Sequence, residues 1–307
     1  MTPRHFLDIN ATAPKDLRRI VDAAHEMKRA GKRVPADLRP LDVEDDVLVM
    51  IFEKPSTRTR VSFDVAMRQL GGQTIVLNHS DLQLGRGESV SDTSKVLSRY
   101  ADAIMLRCNQ HATLVELAEH ATIPVINGLT DKSHPCQVIA DIMTFEESHN
   151  AIGGRSVAWV GDGNNVAASW MHAAEAFGFA LRIACPGQMR PEKDVVDWLK
   201  TSRADVTITD DPAEAVRGVD CVVTDTWVSM GQTDEGYRRQ VLGPYAVDAD
   251  LMKHADCDAI FMHCLPAYRG HEVAGDVIDG PQSVVFDEAE NRLHAQKAIL
   301  SWCLGGV

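Results

Sequence analysis

From Ser56 to Arg60 the chain reads Ser-Thr-Arg-Thr-Arg, so three hydroxyls and two guanidinium groups fall within five residues. They sit in the turn Glu53–Arg60, which follows the β-rich run Val47–Phe52 and opens a helix-like stretch from about Val61 to Leu70. A helix N-terminus offers N–H groups without intrahelical partners and a partial positive charge, so phosphate binds there readily. Hydroxyls and guanidinium forks are suitable donors to phosphate oxygens. A helix cap needs one hydroxyl, not this density. The turn therefore predicts an anion site built on Ser56, Thr57, Arg58 and Thr59. A second turn of the same kind is Ser133-His134-Pro135-Cys136-Gln137. Pro135 suits a first helical position, which leaves His134 just outside the helix with its ring free to face a cleft. Taken alone, that histidine reads equally well as a cap.

Three turns in the second half carry the remaining candidates. Gly161-Asp162-Gly163-Asn164-Asn165-Val166 invites a dinucleotide-binding reading, which fails on two points. Val166 replaces the third glycine, and the strand ending near Ala184 runs into Cys185-Pro186 where an acidic ribose ligand is required. The turn still brings the amides of Asn164 and Asn165 to a strand end, where they can hold a carboxylate or an amine. Asp225-Thr226-Trp227-Val228-Ser229-Met230-Gly231-Gln232 ends another strand, and its acidic residue, serine and glycine could orient a cation and close over it. An ordinary surface loop explains that segment equally well by itself. His263-Cys264-Leu265-Pro266 follows the strand-like run Ala259–Met262. Neighbouring residues on a strand face opposite sides, so His263 and Cys264 make a poor base–nucleophile pair. Alone, Cys264 reads as a small buried hydrophobe.

The elements that must position these turns alternate between strand and helix. After Pro14, Leu17, Ile20, Val21, Ala24 and Met27 recur at helical spacing, and Gly31 closes the segment. Strand-like runs follow at Val47–Phe52, Ala103–Leu106 and Pro124–Asn127, then a helix from Pro135 to about Glu147. Asn150-Ala151-Ile152-Gly153-Gly154 is small and polar and marks a domain boundary. Beyond it, Ser156–Val160, Leu181–Ala184, Cys221–Thr224 and Ala259–Met262 read as strands, Val166–Phe177 as a helix, and Glu288 to Leu304 as a last helix. This alternation implies an α/β chain of two doubly wound domains with parallel sheets. Ligands of such sheets sit at the carboxyl ends of the strands, where the candidate turns fall.

The bulk composition narrows the function classes. A chain of 307 residues has room for two cores. Its net charge of −13 and the lack of any Lys/Arg run speak against nucleic acid as a partner. No stretch approaches the ~18 apolar residues of a membrane helix. The start, Met1-Thr2-Pro3-Arg4-His5-Phe6, holds no apolar signal region. The seven cysteines are scattered without a Cys-x-x-Cys pair, which argues against disulfides and a zinc site and for the cytoplasm. In so acidic a chain, Arg58, Arg60, Arg107, His134 and Arg292 at element ends point to a local anion pocket.

Taken together and in this order, the turns resemble those of the aspartate/ornithine carbamoyltransferase family, over essentially the whole chain. Ser56-Thr57-Arg58-Thr59-Arg60 is similar to that family's carbamoyl-phosphate loop, and Arg107 with His134-Pro135-Cys136-Gln137 to its further phosphate and carbonyl contacts. Asp225 followed by Ser229-Met230-Gly231, and His263-Cys264-Leu265-Pro266, resemble the ornithine branch. Arg292, in Glu288-Ala289-Glu290-Asn291-Arg292, matches the family's late arginine. Tyr268 and His271 depart from the family pattern, at positions not assigned to substrate. The resemblance implies two doubly wound parallel-sheet domains with a cleft between them. Residues 1–149 would bind carbamoyl phosphate, the C-terminal helix 288–307 would return to them, and residues 150–287 would bind ornithine.

The same resemblance implies transfer of the carbamoyl group from carbamoyl phosphate to the side-chain amine of L-ornithine, in arginine biosynthesis, without metal or organic cofactor. Ser56, Thr57, Arg58 and Arg107 would hold the phosphate. Arg58, Thr59 and His134 would stabilise the oxyanion. Gln137, Leu265 and Arg292 would fix the carbamoyl group. Asp225 and Cys264 would lie at the amine, and Asn165, Ser229 and Met230 at the α-amino and carboxylate end. It also implies a homotrimer, or a multiple of trimers, with Gln83 in Ser80–Gly87 reaching a neighbouring subunit's site. Rival readings are a carbamoyltransferase with another amine acceptor, such as putrescine or N-acetylornithine, and a non-catalytic regulatory homologue.

Overall fold

The structure is a computed structural model that describes residues 3–78, 87–228 and 233–307. Its chain divides into two compact units, Met1–Met143 with Glu290–Val307, and Thr144–Ala289.

The first unit holds four parallel strands, β1 (Val47–Phe52), β2 (Gln73–Asn78), β3 (Ala103–Arg107) and β4 (Val125–Leu129), in the order β2-β1-β3-β4. The inner strands β1 and β3 are nearly continuous apolar runs, as strands covered on both faces must be. Val49, Ile51, Ile104 and Leu106 share one core cluster with Leu114 and Leu117. Helices α1 (Pro14–Arg29), α2 (Thr57–Leu70), α3 (Val90–Leu97) and α4 (His111–His120) belong to this unit, and α5 (Pro135–His149) begins in it. The helix α2 starts a full turn before Val61. Ser56 is extended, and its Oγ accepts from the Thr59 N–H, so the hydroxyl-rich turn is itself the first turn of the helix. Gly71 ends it at φ 116°, a backbone conformation that strains any side chain.

The second unit holds five parallel strands, β5 (Ser156–Val160), β6 (Ala180–Ala184), β7 (Asp205–Thr209), β8 (Cys221–Thr224) and β9 (Ile260–His263), in the order β7-β6-β5-β8-β9. Its helices are α6 (Asn165–Phe177), α7 (Lys193–Leu199), α8 (Pro212–Val216), α9 (Glu235–Leu242), α10 (Ala249–Met252) and α11 (Gly275–Ile278). The last helix, α12 (Val285–Cys303), begins in this unit and ends in the first. Ala158, Val160, Val222 and Phe261 form the centre of a core with Val216, Val247 and Val273.

The strand orders fix where a ligand can sit. In the first unit the chain winds from β1 to β2 and then returns to the other side of β1 as β3. In the second it winds through β5, β6 and β7 and returns beside β5 as β8. Each reversal opens a crevice at the carboxyl ends of the two strands it separates. The turn after β1 and Arg107 at the end of β3 lie at the first reversal. The Gly161 turn after β5 and Asp225 after β8 lie at the second.

Candidate active site

In the first unit the candidate residues converge on Thr59. Its Oγ1 lies 3.1 Å from Ser56 Oγ, accepts from Arg292 Nη2 at 3.0 Å, and is approached by Arg107 Nη1 at 3.5 Å. Arg292 also donates to Gln137 Oε1, and Gln137 Nε2 donates to Asp141 Oδ1 at 2.7 Å, one turn further along α5. Thr59, Gln137, Asp141, Arg292 and His134 are all buried. Arg58 is half-buried, while Thr57 and Arg60 are exposed.

His134 precedes α5 as expected, with Pro135 opening the helix. Burial holds its imidazole well below the usual histidine range, and the charges of Arg292, Arg107 and Arg58 depress it further. The ring is therefore neutral at neutral pH. A neutral imidazole among three guanidinium groups can donate a hydrogen bond to a bound anion without adding a fourth charge. Arg60, grouped in the sequence with the anion-binding cations, is exposed and is not among the charges acting on His134.

The second unit gathers its candidates around Asp225. The turn after β5 needs its glycines for backbone reasons. Gly161 adopts φ 131°, and a Cβ on Gly163 would lie 2.4 Å from Pro191 N and 2.6 Å from the Arg190 carbonyl carbon. Asn164 caps α6, its Oδ1 accepting from Val166 N at 2.9 Å and Ala167 N at 3.1 Å. Its Nδ2 donates to Asp225 Oδ2 at 2.8 Å. The other Asp225 oxygen accepts from Thr226 N at 2.7 Å and from the Cys264 thiol at 3.1 Å. Asp225 is thus a buried carboxylate held by donors from three separate turns. Nearby, Arg238 pairs with Asp162 and donates to the Trp227 carbonyl, which fastens the turn after β5 to the segment after Asp225. Burial lifts the Asp162 carboxyl to about 6, with Arg238 opposing the rise.

His263 ends β9 and Cys264 lies just past it, so strand alternation does not separate them as the sequence suggested, but each is committed to a different partner. The thiol turns to Asp225, whereas His263 Nδ1 accepts from Leu265 N at 2.9 Å and its Nε2 faces Glu272 Oε1 at 3.4 Å. The His263 N–H is itself held by Glu288 Oε2 at 2.8 Å. These contacts fix Leu265 at φ 54°, a strained value for a branched side chain, and the Leu265–Pro266 bond is cis. One donor atom each from Asp225, His263 and Cys264 lie within 4.8 Å of one another. Hydrogen bonds within the protein already engage the imidazole Nδ1 lone pair and the thiol proton.

Several expectations change with these contacts. Asn164 commits its oxygen to capping α6 and one amide N–H to Asp225, leaving only its second amide N–H for a ligand. The side chain of Gln137 bridges Arg292 and Asp141. Tyr268 is exposed and stacks on His271, 6.1 Å between ring centroids, while its N–H donates to Glu272. Gln83, Ser229 and Met230 lie outside the described residues. Asp141, Glu272 and Glu288 escaped the sequence reading. Only the i, i+4 spacing of Gln137 and Asp141 on one helix face gave any signal for them.

Two doubly wound sheets, one with guanidinium groups focused at its strand reversal, define an α/β protein that handles a small anion. The chain belongs to the aspartate/ornithine carbamoyltransferase family: residues 4–147 match its carbamoyl-P binding domain and residues 153–303 its Asp/Orn binding domain. It is similar to the ornithine carbamoyltransferase of Rhodopseudomonas palustris (strain BisA53), 60% identical over 307 residues that cover 99% of this chain and 98% of the relative. Among solved structures, ornithine carbamoyltransferase from Pyrococcus furiosus matches with 47% identity and a TM-score of 0.92, covering 100% of this chain and 98% of that one. The anabolic ornithine carbamoyltransferase from Campylobacter jejuni matches with 38% identity and a TM-score of 0.90, covering 99% of each chain.

Proposed function

We propose that the protein transfers the carbamoyl group of carbamoyl phosphate to the side-chain amine of L-ornithine, giving L-citrulline and phosphate. One observation carries this reading. Arg58, Arg107 and Arg292 act together on the neutral, buried His134, beside a helix N-terminus capped by Ser56, in a chain of net charge −13. Such a cluster suits a dianionic phosphate and the negative charge that develops on an attacked carbonyl.

In this reading Ser56, Thr57, Arg58, Thr59 and Arg107 hold the phosphate, with Gln83 completing the set. His134, Gln137, Arg292, Cys264 and the backbone of Leu265 fix the carbamoyl group. The amine nitrogen attacks the carbonyl carbon, the bond from that carbon to the phosphate oxygen breaks, and the nitrogen gives up a proton. Negative charge built on the carbonyl oxygen is stabilised by Arg58, Thr59 and His134. The attacking amine must be neutral, although a free alkylammonium has a pKa of about 10.4. Asp225 and Cys264 orient that amine, while Asn165, Ser229 and Met230 hold the amino-acid end. The leaving group is already activated, so the acceleration comes from alignment and fixed charge, with no metal or organic cofactor.

The reading extends to arginine biosynthesis in the cytoplasm and to a homotrimer or a multiple of trimers. Among the described residues no helix is long and apolar enough to cross a membrane. Incubation of the purified protein with carbamoyl phosphate and L-ornithine should yield citrulline and phosphate in equal amounts. Putrescine and N-acetylornithine should be poor acceptors. Absence of citrulline from folded protein, or preference for either alternative amine, overturns the assignment.

A further inference from the structure

We propose that Asn164 is a positioning residue that sets the chain length of the amine acceptor. The inference rests on the functional reading above, in which Asn165 serves the amino-acid end of the substrate and Asp225 its side-chain amine.

The orientation of the Asn164 amide is fixed by its partners. Backbone N–H groups only donate, so the oxygen must face Val166 N and Ala167 N, and the nitrogen must face Asp225. One short side chain therefore joins the start of α6 to the carboxylate after β8. Asn165 is the first residue of α6, directly beside that joint. The other Asp225 oxygen is held by Thr226 N and the Cys264 thiol, so the carboxylate cannot turn without breaking a second set of bonds. The β5–β8 pairing and Arg238 set the coarse spacing of these segments, and Asn164 ties the Asp225 carboxylate itself to the start of α6 without needing to touch either end of the substrate. A mismatch of one methylene against such a spacing changes kcat/KM by roughly 10- to 200-fold.

Two substitutions separate this role from helix capping. Asn164→Ser and Asn164→Asp both keep an oxygen that can cap α6, and both lose the amide donor to Asp225. Melting temperatures near the wild-type value identify the folded variants. Values of kcat/KM are then measured for L-ornithine, L-2,4-diaminobutyrate and L-lysine, one methylene shorter and longer. Asn164→Ser should narrow the preference for ornithine over both homologues by about tenfold, with the KM for carbamoyl phosphate within about twofold of wild type. Asn164→Asp loses the same donor and puts a second carboxylate against Asp225, so it should narrow the preference at least as far. Unchanged acceptor ratios in Asn164→Ser, or equal loss toward both substrates, overturn the proposal. If only Asn164→Asp folds, unchanged acceptor ratios in that variant do the same. Wild-type protein that forms no citrulline would instead defeat the functional reading, so the two failures are distinguishable.

Discussion

Arg107 and Arg292 direct guanidinium nitrogens at one hydroxyl, Thr59 Oγ1, at 3.5 and 3.0 Å. Arg107 ends β3 and Arg292 lies in α12, so neither is near Thr59 in sequence. Two like charges held this close repel each other, and a shared acceptor offsets part of that cost while a bound anion offsets more. Thr59 is that acceptor within the protein, and it stands in the first turn of α2 where a bound phosphate would meet helix N–H groups.

Thr59→Val tests that relationship with little change of shape. It removes the acceptor shared by two buried or half-buried cations while keeping a branched side chain. Hydrogen bonds to charged groups are worth about 1.5–3 kcal/mol, so catalytic efficiency toward carbamoyl phosphate should fall about 10- to 100-fold. Ornithine KM should change little. Steady-state kinetics with each substrate varied in turn decide it, and a variant with wild-type kinetics would show that the two arginines need no such acceptor.

The turns were legible in the sequence because glycine, proline and clustered polar residues stand out against apolar strands. Both strands missing from the sequence reading, Gln73–Asn78 and Asp205–Thr209, lie at sheet edges. Asp205–Thr209 alternates in polarity and Gln73–Asn78 holds only three consecutive apolar residues, so neither shows the long apolar run that betrayed Val47–Phe52. Within the sites, the cations announced themselves by type, whereas Cys264 alone reads as a small buried hydrophobe. What holds these groups in place did not announce itself. Asn164 reads as a ligand contact until its three partners are known, and Glu288 reads as an acidic first-turn residue although it grips the His263 backbone. The neutrality of His134 rests first on burial and then on the charge of Arg292 from the far end of the chain, neither of which local spacing can express.

His134 should behave as a neutral group throughout the working range. Its folded pKa lies below 6.5 whereas the unfolded chain retains the ordinary value. Between those two values the unfolded chain binds more protons, so the contribution of this group to stability declines as the pH falls below 6.5. Its imidazole resonances should therefore stay constant from pH 9 down to 6. A titration of His134 centred near 6.5 would show that the three arginines and burial do not control it.

Cys264 should act as an orienting group, because its thiol already donates to Asp225. Cys264→Ala should lower ornithine kcat/KM about tenfold or more, the effect of a lost hydrogen bond to a charged group, and should impair ornithine use more than carbamoyl phosphate binding. Cys264→Ser, which keeps a donor, should recover part of the loss. A covalent nucleophile would give a different pattern, with turnover abolished in both variants. Mass spectrometry of the enzyme during turnover provides the direct check, and a carbamoyl adduct on Cys264 along the productive path would refute the orienting role.

The proposed trimer carries its own prediction, because the proposed role of Gln83 makes each site depend on two chains. Arg58→Ala should lower turnover by at least the ~100-fold typical of a lost oxyanion donor, and Gln83→Ala should also be strongly impaired. Each variant alone places a lesion in every site. If Gln83 serves a neighbour's site, unfolding the two variants together and refolding the mixture should restore activity. Some sites would then combine an intact Arg58 with an intact Gln83 from the next subunit. If Gln83 serves the site of its own chain, every site in the hybrid still carries one lesion and no restoration occurs. Native mass spectrometry identifies the mixed trimers, so a failure to mix cannot pass for a failure to share. Activity no greater than the sum of the two variants, in preparations shown to contain mixed trimers, would establish that each chain completes its own site.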